Sequence, residues 1–141
     1  MSADAGSSFE VLSPAGWPRP SGFANGVVAS GRLVVLAGQI GWNPVSCVVE
    51  HEDFAAQTRQ ALVNIVALLR EAGATPADLV RLTWFITSRA EYGGAREAIG
   101  AAYRDVIGRH YPAMSVVVVA GLLEPRAKVE IEATAVLRTL A

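Results

Sequence analysis

Residues 111–136 read YPAMSVVVVAGLLEPRAKVEIEATAV, and this stretch decides the fold. The four valines at 116–119 are β-branched, stiff side chains that favour extended backbone. An unbroken apolar run of this kind suits a strand covered on both faces. It is therefore expected at the centre of a sheet or at a contact between subunits. After a turn comes a strict alternation. Val129, Ile131, Ala133 and Ala135 point one way, while Lys128, Glu130, Glu132 and Thr134 point the other. This second strand buries one face and carries carboxylates on the opposite one. Glu130 then lies beside an apolar strand and is partly desolvated, which suits a general base. On the residues alone, the plainer reading is a solvated strand carboxylate.

Upstream of this stretch, Ser88-Arg89-Ala90-Glu91 forms a capping box that opens a helix. Its buried stripe is Tyr92, Ala95, Ile99, Ala102, Tyr103 and Val106. Gly93 and Gly94 weaken its first turn, and Gly108 and Pro112 close it. Residues 79–87, LVRLTWFIT, predict a strand with Leu82, Trp84 and Ile86 on one face and Arg81, Thr83 and Phe85 on the other. The apolar spacing over 53–72 predicts another helix, with acidic residues at its positive end and Gly73 as its C-terminal cap. Thr75-Pro76-Ala77-Asp78 has the form of a capped single turn.

Nearer the N-terminus, 27–29 and 33–37 are short β-rich runs, and Ser30-Gly31 between them predicts a hairpin turn. GQIGWNP, from Gly38, is expected to be a glycine-punctuated loop where Gly38 allows close backbone approach to a ligand. SPAGWPRPSG is a loop, residues 9–12 suit a short strand, and 1–8 are small, polar and expected to be loose. The order gives an α+β domain over 9–141, with six strands in a mixed sheet and two helices packed on one face.

Composition narrows the function. Of 141 residues, 52% are hydrophobic, more than so small a domain easily buries alone, so association of copies is expected. No apolar run approaches the roughly 20 residues of a membrane span. The opening MSADAGSSFE lacks both a basic region and an apolar core, so no signal peptide is expected. One cysteine, Cys47, allows no intrachain disulfide, which fits a cytoplasmic protein. A net charge of −1 without a basic cluster argues against a nucleic-acid partner. Cys47 and His51 form only part of a ligand set, and no phosphate-binding loop is present, so neither metal nor cofactor is expected.

In this order, SGFANG (21–26), SGRLVVLAGQIGWNP (30–44), DFAAQTRQALVNI (53–65), the Tyr-Pro-Ala turn and KVEIEATAV (128–136) resemble the RidA/YjgF family of imine and enamine deaminases. The resemblance covers residues 22–136. It implies a chorismate-mutase-like fold and a homotrimer with inward-facing sheets, outer helices and three pockets between subunits. It implies hydrolysis of reactive imines and enamines to a carbonyl compound and ammonia. In that chemistry an arginine after the Pro-Ala turn grips the substrate carboxylate, and a glutamate in the last strand helps place water.

Carried over by position, the glutamate is Glu130, but the arginine position holds Met114. Phe23 stands where a tyrosine is usual, Ala37 where a hydroxyl precedes Gly-Gln, and Val116 where a cysteine or similar residue follows the arginine. Gly38 supplies backbone to the pocket. The polar position on the second helix falls at Arg96 or Gly100. Each firmly placed departure removes a polar group. Met114 cannot form the bidentate pair an arginine forms, and offers a soft, adaptable wall instead. The pocket is thus expected to prefer a larger apolar, aromatic or extended unsaturated ligand over a small 2-imino acid.

Glu130 is then the catalytic candidate, and Phe23, Ala37, Gly38, Arg96, Met114 and Val116 are the substrate-binding ones. Read plainly, Met114 is core, Phe23, Trp42 and Trp84 are packing residues, and Arg96 is a solvated helix residue. A trimer that binds a small molecule without chemistry is the second functional reading. RNA cleavage ranks last, for want of a basic surface and a histidine pair.

Overall fold

The computed structural model describes residues 9–138, so the expectation of a loose segment over 1–8 lies outside the described residues. The alternation at 129–136 forms β8 (Val129–Leu137). Val129, Ile131, Ala133 and Ala135 are buried, whereas Glu132 is exposed and Glu130 half-buried. β8 lies between β3 (Arg32–Ile40) and β6 (Leu79–Ile86), antiparallel to both. β7 (Ala113–Val118) completes the sheet on the far side of β6 and runs parallel to it. Parallel neighbours need a long crossover. Two helices supply it, α2 (Arg89–Gly94) and α3 (Arg96–Val106).

α1 (Phe54–Glu71) begins where Asp53 accepts a hydrogen bond from the Ala56 N–H, and Gly73 follows it at φ +76°. Its inner stripe, Leu62, Ile65 and Leu69, packs with Leu82, Ile131 and Val129 in one core on a single face of the sheet. Inside that layer, the Gln57 side chain donates to the His51 and Arg126 carbonyls and accepts from the Lys128 N–H. Residues 76–78 form the short capped turn that leads into β6.

The structure confirms the mixed α+β layering and corrects its details. Among the described residues, four strands rather than six share the main sheet. The short strands pair off as two ribbons, β1 (Phe9–Val11) with β2 (Val27–Ala29), and β4 (Trp42–Asn43) with β5 (Val48–Val49). Ser30-Gly31 is therefore a corner between β2 and β3 and not a hairpin turn. Gly31 sits at φ +144°, and a Cβ there would lie 2.8 Å from the Leu137 carbonyl carbon. β3 also runs on through the expected GQI loop to Ile40, with a register shift between Leu36 and Gln39. The second helix breaks at Ala95 (φ −109°, ψ 7°), directly after Gly93 and Gly94, which makes three helices instead of two.

Of the two places expected for the valine run, the centre of the sheet is not where it lies. β7 is an edge strand, not a central one, and Val116, Val117 and Val118 are 40–50% exposed. Burial on both faces is not met within one chain. Sequence periodicity cannot separate a strand covered by its own chain from one left for another chain to cover.

Candidate functional site

Register decides which face each side chain takes. Trp84 pairs with Ile131 on β8 and Val116 on β7, and Leu82 pairs with Ala133 and Met114, so all of these face the helices. Phe85 pairs with Glu130 and Val117, and Thr83 with Glu132 and Ser115, on the bare face.

On the helix side, a cavity of about 590 Å³ opens between α3 and the β6–β7 edge. Its floor is Trp84, Met114 and Val116, and its helix wall carries Arg96, Gly100 and Arg104. Phe23 closes one end. It is fixed there because the neighbouring Ala24 bridges Ala113 and donates its N–H to the Pro112 carbonyl at 3.0 Å. Tyr111 stacks on Tyr103 (centroids 5.4 Å apart, planes 12° apart), and both rings line the cavity. Burial, with the neighbouring Tyr111, raises the Tyr103 phenol above its ordinary range, so it stays a neutral donor. It donates to the His110 carbonyl. The Trp84 indole N–H is buried and has no acceptor among the described residues, an uncompensated donor of a kind native cores rarely keep.

On the bare face, Glu130 lies against Gly38. A Cβ on Gly38 would come within 2.8 Å of the Glu130 Cγ and Cδ, so only a glycine leaves this room. No hydrogen-bond or ion-pair partner of the Glu130 carboxylate is present among the described residues. The adjoining apolar surface is broad: Leu33 is 67% and Val35 69% exposed.

The candidate residues thus fall into two groups. Phe23, Arg96, Met114 and Val116 meet in one cavity; Glu130 and Gly38 meet each other behind the sheet, and Ala37 is exposed near them on β3. Within one chain they do not form a single pocket. The sequence reading missed Arg104, Tyr92, Tyr103 and Tyr111 as lining residues. The available signal was the spacing of Arg96, Gly100 and Arg104, four residues apart and hence on one helix face. Among the described residues no cluster of metal-ligating side chains is present, and no helix is long and apolar enough to cross a membrane.

This fold has known counterparts. The family model described as endoribonuclease L-PSP matches residues 18–137, and the chain belongs to that family, of which RidA/YjgF proteins are members. A protein of Salmonella typhimurium named 2-iminobutanoate/2-iminopropanoate deaminase is 36% identical over 111 residues, covering 77% of this chain and 82% of that protein. A Rid-family protein of unknown function, YyfB of Yersinia pestis, superposes with a TM-score of 0.78 at 40% identity, covering 92% of this chain and 99% of that one. The YjgF protein of Escherichia coli superposes with a TM-score of 0.66 at 35% identity, over 82% of this chain and 88% of that one.

Proposed function

We propose that the chain is an imine or enamine deaminase working as a homotrimer, and that its substrate is apolar, aromatic or extended and unsaturated. One observation carries the reading. The Glu130 carboxylate, unpaired beside Gly38, and the Met114-lined cavity lie on opposite faces of one sheet, so a complete site requires a second copy. The exposed Leu33, Val35 and Val117 offer the surface for that association. The naming of relatives at 36% identity as 2-iminobutanoate/2-iminopropanoate deaminases supports the reaction class.

In this reading Glu130 accepts a proton from water as the oxygen attacks the C=N carbon. The carbinolamine then collapses to the carbonyl compound, and nitrogen leaves as ammonia after taking up a proton. An enamine is first protonated at carbon to its imine. Backbone N–H groups near Gly38 act as fixed donors to the polarised ligand. Met114, Val116, Trp84 and Phe23 supply an apolar seat at the position where relatives are expected to carry an arginine.

The test is ammonia release from a panel of enamines generated in solution. Wild type is expected to favour aromatic over three-carbon substrates. Glu130→Gln is expected to lose about 10²- to 10⁴-fold in turnover with binding retained. Turnover of 2-iminopropionate above that of the aromatic members would overturn the substrate assignment, and undiminished Glu130→Gln would overturn the mechanism. Met114, which cannot grip a carboxylate, favours one other reading: a trimer that binds the same ligands without turning them over. Saturable binding with no ammonia released would select it.

A further inference from the structure

Two cavities among the described residues differ in charge. The smaller, about 490 Å³, is lined by Glu52 and Glu91 as well as Arg126 and Lys128, and Lys128 pairs with Glu91 at 2.8 Å. Its charges neutralise one another. The larger is lined by Arg96 and Arg104 and by no carboxylate. Neither arginine has an ion-pair partner among the described residues, whereas Arg59 on α1 is held by Asp105 at 2.7 Å.

Gly100 lies midway between the two arginines on the same face of the helix. They are eight residues apart, roughly 12 Å along the axis. Arg104 leans back over the preceding turn, as helical side chains do. Its Nη1 comes to 3.2 Å from where a Cβ on Gly100 would lie. A glycine inside a helix costs about 1 kcal/mol relative to alanine, and here it leaves room for the Arg104 guanidinium to lie against the helix. Below them lie flat or soft surfaces, Trp84, Tyr92, Tyr111 and Met114. Two unpaired guanidiniums on the rim of an aromatic floor suit a ligand with an anionic head and a flat apolar body.

We infer that Arg96 and Arg104 are the carboxylate anchor of this site, and that its ligands are carboxylic acids with a conjugated or aromatic body. The head lies at α3, and the body extends over Trp84 and Met114. A volume of about 590 Å³ accommodates a body of this size. The inference rests on the cavity being the ligand site of the proposed function, and not on turnover.

The test uses trans-cinnamate and its neutral analogue cinnamamide, titrated into the intact protein by calorimetry at low and high salt. Cinnamate is expected to bind about tenfold more tightly than the amide, with the difference shrinking at high salt. Arg96→Ala and Arg104→Ala are each expected to weaken cinnamate about fivefold to tenfold and to leave cinnamamide unchanged. Arg59→Ala should change neither. Both cavity arginines are exposed, so the variants keep the fold, which circular dichroism checks. Equal binding of acid and amide, indifference to both substitutions, or no saturable cinnamate binding overturns the anchor. Intact discrimination without turnover of any enamine leaves the anchor standing and removes the deaminase reading. Turnover of neutral enamines only, insensitive to either substitution, does the reverse.

Discussion

One face of the four-stranded sheet is closed by α1 and α3, and the other is bare. On the closed face Ile131, Val129 and Leu82 are fully buried. On the bare face Leu33, Val35 and Val117 are as apolar, yet lie open in the single chain. Both faces come from the same alternation, so hydrophobicity alone does not distinguish them. What differs is the partner. The closed face is completed by the chain's own helices. The bare face, which carries Glu130, is completed only if another copy covers it. Stability is thus built on one side of the sheet, and the proposed chemistry depends on association at the other.

A charge on the bare face gives the largest expected effect. Val35→Asp would bury a carboxylate at each contact between copies, at several kcal/mol per ion. Wild type is expected to sediment as three chains and Val35→Asp as one. Turnover should vanish with assembly even though Glu130 and Met114 are both unchanged. A wild-type protein that runs as a single chain at micromolar concentration would break the comparison, since the bare face would then need no cover.

The dissociated variant also exposes the next difference. In the Val35→Asp background, Ile131→Ala is expected to lower unfolding free energy by about 2–5 kcal/mol, because it opens a cavity among α1, β6 and β8. Val117→Ala, on the edge strand, should cost below about 1 kcal/mol, since little is packed against it. Urea unfolding of the two variants is the measurement. Equal losses would mean that Val117 is packed within the single chain as tightly as Ile131.

These contrasts mark what the chain discloses by itself. The strand at 129–136 and the helix at 53–72 were legible because each pairs a clear period with its own end signals, Asp53 and Gly73 in the helix. The valine run was not placed, because a run without alternation states only that both sides want cover. The corner at Gly31 was mistaken for a hairpin, since a Ser-Gly pair suits both and only the approach of Leu137 decides. In the site, Phe23, Met114 and Val116 were identified through resemblance, and register then placed them together. Glu130 was marked by the alternation and then by the resemblance, but its separation from the cavity follows from one-residue parity on β8, which acquires a meaning only when the helices are assigned a face. Arg104 was overlooked as a lining residue because its spacing from Arg96 and Gly100 gains meaning only once that helix face is placed over the cavity.

The smallest expected effect bears on that parity most directly. Gly38 does not occupy the left-handed region, so alanine fits its backbone and the change acts through Glu130 alone. The new Cβ would stand 2.8 Å from two carbons of that side chain, well inside the roughly 3.5–4.0 Å at which carbon atoms rest. Glu130 must swing by about 1 Å, and its carboxylate is held by no partner that resists the movement. Gly38→Ala should therefore leave unfolding free energy within about 1–2 kcal/mol of wild type. Turnover should fall about tenfold to hundredfold through misplacement of the base. Full activity in Gly38→Ala would mean that the position of Glu130 beside Gly38 is not the position from which it acts.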